Sequence, residues 1–229
     1  MNQDLANFIN FKLDMFAYGQ RLPLPEPMNK AWDLLGSDLI YVINLDRRPD
    51  RLSNMKTIFN ALQIQFTRMP AVDGTLHVTS QYLKYQGIRM MEGFSDHISK
   101  SRPLTLGEIG CFMSHYSIWN IVLEQNLKEV IIFEDDIRLE PFFKERFKTI
   151  RKVLDHMDWD LVYLGRILVQ NYQEEDWVKG SNQSLVHVDF TYGTPGYMLS
   201  HSGSDMSGNQ KPPLKYHILA NNVHKLHLS

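Results

Sequence analysis

Leu39-Ile40-Tyr41-Val42-Ile43 is a continuous apolar run rich in β-branched and aromatic residues. That composition predicts a strand buried on both faces, as in a parallel sheet. Asn44 and Leu45 end the run, and Asp46 opens a polar turn. Pro49 at a first helical position, with Asp50 beside it, then begins a segment in which Leu52, Met55, Ile58, Phe59 and Leu62 recur at helical spacing. Strand, charged turn and helix in direct succession are the opening of an α/β layered sheet.

The same alternation continues in both directions. Ile64-Gln65-Phe66-Thr67-Arg68-Met69 reads as a second strand stopping at Pro70, and Asp73-Gly74 supplies a turn. Residues 75–104 are weakly patterned and read as irregular surface structure. Thr105-Leu106-Gly107-Glu108 fits a capping box, in which threonine and glutamate satisfy each other's backbone donors, and predicts a helix to about Gln125. Ile109, Phe112, Met113, Tyr116, Ile118, Trp119, Val122 and Leu123 leave that helix apolar on most sides, so it should be buried. Val130-Ile131-Ile132-Phe133 predicts a third strand, Pro141 to about His156 a helix, Leu161-Val162-Tyr163-Leu164 a fourth strand and Gly196-Tyr197-Met198-Leu199 a last short one. Upstream, residues 4–18 suit a short helix, and Leu22-Pro23-Leu24-Pro25-Glu26-Pro27 cannot extend it. The expected division is therefore an N-terminal helix and Pro-rich linker over 1–36, a core domain over 37–200, and an unstructured tail over 201–229, where Ser, Gly, Asn, Lys and Pro dominate the first part.

Composition bounds the function. With 43% hydrophobic and 22% charged residues the chain has the profile of a soluble globular protein. Its formal charge of -2 offers no general attraction for nucleic acid or anionic membrane. Cys111 is the sole cysteine, which excludes an intramolecular disulfide and multi-cysteine metal centres. The opening MNQDLANFINFKLDMF lacks a basic region followed by an apolar one, and no apolar run approaches the roughly 18–20 residues that span a bilayer, so no export signal or anchor is expected in this sequence. Asn182-Gln183-Ser184 is a glycosylation sequon, relevant only in the secretory pathway. No phosphate-binding loop, Rossmann glycine fingerprint, HExxH helix or G-x-S-x-G elbow is present, which removes most support for hydride transfer and serine hydrolysis.

Three groups of residues could carry chemistry. Glu134, Asp135 and Asp136 follow an apolar strand, at the carboxyl edge where open α/β sheets bind ligands. Strand geometry puts Glu134 and Asp136 on one side as hard oxygen ligands for Mn2+ or Mg2+; the competing reading is a solvated acidic turn capping the next helix. Arg47, Arg48 and Arg51, between Asp46 and Asp50 or just beyond, could hold a diphosphate by bidentate bonds, or form a salt-bridged surface. Glu108, Cys111, His115 and Trp119 share one helix face; His115 could act as a base, or be a satisfied core histidine, while Cys111 has no evident activating partner.

Taken in order, Ile40-Tyr41-Val42-Ile43-Asn44-Leu45-Asp46-Arg47-Arg48 with Arg51, then Ala71-Val72-Asp73-Gly74, resemble the opening of glycosyltransferase family 25. Leu106-Gly107-Glu108, Gly110-Cys111, Ser114-His115 and Trp119 resemble that family's central helix motif, and Phe133-Glu134-Asp135-Asp136 its acidic metal motif. The resemblance extends to Tyr197-Met198-Leu199-Ser200, and from Asn7 through the linker it is nearest the animal collagen-modifying branch. It implies a glycosyltransferase A-type nucleotide-sugar-binding fold, an open sheet flanked by helices. It implies transfer of galactose from UDP-galactose to a hydroxylysine of collagen or procollagen, with inversion, in the endoplasmic reticulum lumen. By the same resemblance Mn2+ would sit on Glu134 and Asp136, Asn44, Asp46, Arg47, Arg48 and Arg51 would contact the donor, and His115 or Glu108 would be the base. Animal members carry a leader, another glycosyltransferase-like domain and a retention signal that this sequence does not show. After Ser200, where the family continues into a further acidic motif, the chain turns to HSGSDMSGNQKPPLK, so a complete donor half and an incomplete acceptor half are expected. Two rival readings are a noncatalytic binding or adhesion protein that keeps the scaffold, and a metal-dependent nucleotide hydrolase.

Overall fold

The computed structural model describes residues 33–85, 104–139, 142–167, 176–182, 184–188, 192–205 and 217–220. Its elements are β1 (Leu39–Asn44), α1 (Pro49–Ala61), β2 (Thr67–Pro70), α2 (Gly74–His77), α3 (Ser80–Tyr85), α4 (Leu106–Glu124), β3 (Glu129–Glu134), α5 (Phe143–Leu154), β4 (Leu161–Ile167), β5 (Leu185–His187), β6 (Tyr192–Ser200), α6 (His201–Ser204) and β7 (His217–Ala220). The predicted helix over 4–18 and the proline-rich linker lie outside the described residues.

The strands form one seven-stranded sheet in the order β2-β1-β3-β6-β4-β7-β5. β1 is parallel to β2 and β3, whereas β6 runs antiparallel to both β3 and β4. The sheet is therefore mixed, an open α/β arrangement flanked by helices. The apolar run that opens it is buried at all six positions of β1.

Period-two alternation divides the sheet's side chains between two faces. Ile40, Val42, Ile131, Phe133, Val162, Leu164 and Met198 join Met55 and Phe59 of α1 and Phe143, Phe147, Ile150 and Leu154 of α5 in one apolar core. Phe133 lies edge-on to Phe59 and Phe143, with ring centroids 5.7 and 6.3 Å apart. The alternate residues, among them Tyr41, Ile132 and Tyr197, are fully buried on the opposite face. There Ser114–Glu124 of α4 supplies His115 and Trp119, both bonded to Tyr197.

Several boundaries moved for physical reasons. Ile64 makes only an isolated bridge to Asp33, so β2 begins at Thr67. Phe142 is left-handed (φ 65°), which delays α5 to Phe143. The stretch read as irregular contains the short helices α2 and α3. The short strand expected at Gly196–Leu199 is a nine-residue central strand beginning at Tyr192. Its Gly193-Thr194-Pro195-Gly196 opening hid it, and the register against β4 shifts at Gly165, where such residues are tolerated. Within the segment read as a tail, His201–Ser204 is helical and His217–Ala220 pairs with β4 and β5.

Residues Val72–Met113 group as a second compact unit, with the division falling inside α4. In it, Asp73 caps α2 by accepting from the Thr75 amide at 3.1 Å and the Thr75 hydroxyl at 2.7 Å. A side chain at Gly110 would meet the Val72 carbonyl at 2.5 Å and the Gly74 amide at 2.7 Å, so this crossing admits only glycine. No helix of the described residues is long and apolar enough to cross a membrane.

Candidate functional site

The chain leaves β1 toward α1 and β2 on one side, while β3 lies on the other side of β1. The loops after β1 and β3 consequently diverge, a switch point of the kind where open α/β sheets bind ligands beyond the carboxyl ends of their strands. Ile43 is paired with Glu134 across this edge, so Asn44 and the acidic triplet are neighbours.

Asn44 is 1% exposed and organises the edge. Its amide donates to the Arg48 carbonyl at 2.9 Å and to Asp135 Oδ2 at 2.6 Å. Its side-chain oxygen accepts from Arg68 Nε at 3.0 Å, and its backbone carbonyl accepts from the Ala71 amide and Arg68 Nη2. Both amide hydrogens are thus committed within the protein, and Asn44 shapes the turn and holds a carboxylate.

The triplet splits between two environments. Arg51 Nη1 donates to Asp135 Oδ1 at 3.1 Å and to Asp136 Oδ2 at 3.0 Å. Glu134 is turned to the opposite face of the sheet, where Oε1 lies 3.3 Å from His115 Nε2 and accepts from the Thr194 hydroxyl at 3.1 Å. Burial raises the Glu134 pKa, but hydrogen bonding and charge attraction from His115, with help from Thr194 and Arg51, outweigh it, so the carboxyl sits below its ordinary value. For Asp136 the balance is reversed: burial and then repulsion from Glu134 outweigh Arg51, and its carboxyl is raised. Arg51 thus bridges Asp135 and Asp136, Glu134 stands beside them, and all three carboxyl groups are hard oxygen donors suited to Mn2+ or Mg2+.

The arginines of the turn do not act as a set. Arg48 forms a bidentate pair with Asp50 at 2.9 and 2.7 Å, and this bond holds the exposed Asp50 carboxyl down to about 2. Arg51 faces the triplet, Arg47 is exposed, and Asp46 is paired with Arg68. Arg68 is a site residue that sequence reading missed. Its signal is a position near the end of a strand parallel to β1, opposite Val42, which becomes meaningful only once the strand order is known.

The two base candidates on α4 have different surroundings. Glu108 completes the capping box: Oε2 accepts from the Thr105 amide at 2.7 Å and hydroxyl at 2.8 Å, while the Glu108 amide donates to Thr105 Oγ1 at 3.2 Å. His115, 3% exposed, lies with Nδ1 2.8 Å from the Tyr197 hydroxyl, which also accepts from Trp119 Nε1 at 2.9 Å. Cys111 is exposed. Tyr197 and Thr194 were not singled out as site residues, because both belong to the strand whose opening is obscured by glycine and proline.

Residues 38–205 match the model of glycosyltransferase family 25, described as an LPS biosynthesis protein family. A glycosyltransferase 25 family member of Aedes aegypti is 39% identical over 208 residues, covering 89% of this chain and 32% of the relative. Procollagen galactosyltransferase 1-A of Xenopus laevis is 39% identical over 91% of this chain and 34% of its own length, and human procollagen galactosyltransferase 2 is 38% identical over 89% and 33%. The chain spans about a third of the length of these relatives. With its charged turn, central helix and acidic strand end all inside the matched region, the chain belongs to glycosyltransferase family 25.

Proposed function

We propose that the protein binds UDP-galactose with a divalent cation, Mn2+ by preference, and transfers galactose with inversion to a hydroxylysine side chain of collagen. The observation that carries this reading is the acidic triplet at the switch point, where Asp135 and Asp136 meet Arg51 and Glu134 meets His115 and Thr194. The donor and acceptor are taken from relatives named procollagen galactosyltransferases. An endoplasmic reticulum setting follows from the same reading, and the sequon residue Asn182 is exposed in a turn.

Glu134 and Asp136 would hold the cation, which supplies neutralisation of the diphosphate as the bond from galactose C1 to its oxygen breaks. Asp135 is restrained by Asn44 and Arg51, so the triplet keeps its geometry while its charge is compensated. Arg48, Arg51 and the exposed Arg47 line the approach from the β1 turn and can contact diphosphate or nucleoside. The acceptor hydroxyl forms its new bond to C1 from the opposite side, and its proton passes to a base. Against Glu108 in that role stands its use in the cap at Thr105.

Calorimetric titration with UDP-galactose, with Mn2+ and with a chelator, followed by transfer to a hydroxylysine peptide, tests the proposal. Cation-dependent binding with transfer is the expected result. Binding without transfer would favour the noncatalytic scaffold, acceptor-independent release of UDP the hydrolase, and no binding by a folded sample would overturn the nucleotide-sugar reading.

A further inference from the structure

His115 sits at the centre of a hydrogen-bonded chain running between helix α4 and strand β6. An ionised carboxylate can only accept, so the contact between His115 Nε2 and Glu134 Oε1 at 3.3 Å places a proton on Nε2. In the neutral ring Nδ1 is then an acceptor, and the group 2.8 Å from it is the Tyr197 hydroxyl. That hydroxyl can donate to Nδ1 while its oxygen accepts from Trp119 Nε1–H, a donor with no accepting capacity, at 2.9 Å. With the ring neutral the order is Trp119 to Tyr197 to His115 to Glu134, and in either protonation state Nε2 carries the proton toward Glu134. Thr194 braces its end by donating to Glu134 Oε1 at 3.1 Å, with its oxygen 3.3 Å from Nε2. His115 and Tyr197 are 3% and 0% exposed, so neither swings freely.

A base needs an open nitrogen toward its substrate, and here Nε2 carries the proton while Nδ1 is covered by Tyr197. We propose that His115, oriented by the Tyr197 hydroxyl and Trp119, is a positioning residue that fixes the Glu134 carboxylate for the divalent cation, and that it is not the base. The inference rests on the assignment of the cation to Glu134 and Asp136 made above. Outer partners of this kind typically change metal affinity by about 10–100-fold when removed.

The test is Mn2+ affinity, read by calorimetry and by the electron paramagnetic resonance signal of free Mn2+, on variants whose folding is checked by urea unfolding. Tyr197→Phe is expected to weaken Mn2+ binding about 10-fold, and His115→Leu by about 10–100-fold. His115→Gln keeps an N–H near the place of Nε2 and is expected to bind Mn2+ within about threefold of the unaltered protein, a rescue that a purely structural role would not show. Should Tyr197→Phe fail to fold, the two His115 variants carry the comparison alone. Unaltered Mn2+ affinity in folded Tyr197→Phe and His115→Leu, with affinity lost in Glu134→Gln, would overturn the positioning role and leave the cation site standing. Unaltered affinity in both Glu134→Gln and Asp136→Asn would remove the cation assignment itself, and the inference with it. Loss of transfer in His115→Gln and His115→Leu alike, with Mn2+ affinity and donor KM unchanged, would make His115 the base.

Discussion

The two ends of β3 carry the same chemistry in different settings. At its start, Glu129 pairs with Arg151 and accepts from Ser37 Oγ at 3.1 Å, while Arg151 Nε also donates to Asp155 at 2.7 Å. At its finish, Arg51 bridges Asp135 and Asp136, and Glu134 meets an imidazole and a hydroxyl. The first cluster is anchored in helix α5 and closes one end of the sheet. The second lies at the switch point, beyond the carboxyl ends of β1 and β3. Equal-looking acidic residues on one strand thus divide into a brace and a candidate cation site, and the difference is their placement in the sheet and the groups that meet them.

The sharpest way to break the comparison is to remove a carboxylate from the finishing end. Asp136→Asn and Glu134→Gln should each reduce Mn2+-dependent UDP affinity by at least about 100-fold, the upper edge of what outer partners produce, while the protein stays folded. Calorimetry with and without chelator checks this, and retained affinity in both would erase the distinction between the ends. Asn44→Leu removes the amide that joins the β1 turn to Asp135 and strands buried polar groups. A loss of about 2–3 kcal/mol in urea unfolding is expected, because the partners left behind are costly.

At the starting end the outcome should be purely one of stability. Arg151→Met is expected to cost about 1–2 kcal/mol, since the pair with Glu129 is part-buried, and to leave nucleotide and Mn2+ titrations as they were. An altered titration would show that the two ends communicate.

The smallest effect concerns pH. Burial and repulsion from Glu134 raise Asp136 in the folded protein above its ordinary value of 3.8, so the folded state holds its proton more firmly. Stability contributed by that carboxyl falls as pH rises through the window above 3.8 and remains lower at neutral pH. Glu134, held below 4.5, does the opposite: its contribution is present above that value and is lost as pH falls through its folded pKa. Asp136→Asn should therefore raise the midpoint of metal-free unfolding at about pH 7 and flatten the dependence down to about pH 4, whereas Glu134→Gln should lower the midpoint at about pH 7. Equal responses of the two variants would contradict the split environments.

Legibility in the sequence followed the range of the interactions. β1, α1, β3 and α5 were readable because each writes its burial into a contiguous period, and the capping box at Thr105 and Glu108 because its partners are three residues apart. β6 was cut to less than half its length because Gly193-Thr194-Pro195-Gly196 suits a strand only where the neighbouring ladder is already irregular. β5 and β7, three and four residues long, depend on partners elsewhere in the sheet. Within the site, Asn44, Arg51, Glu134 and Asp136 could be nominated from adjacency to strand ends. Arg68, Thr194 and Tyr197 could not, because their relation to those residues crosses 24 to 82 positions of chain.

By itself, then, the sequence determined the alternation of strand and helix, the apolar core and the placement of a charged turn and an acidic triplet at strand ends. Those depend on local periodicity and composition, which neighbouring residues carry. Only the tertiary structure decided that β6 runs antiparallel between β3 and β4, bringing Tyr197 and Thr194 to His115 and Glu134, and that Arg51 rather than Arg48 meets the triplet. Hydrogen bonds are directional and short, so which of several similar side chains completes one is settled by the packing that sets their distance and angle.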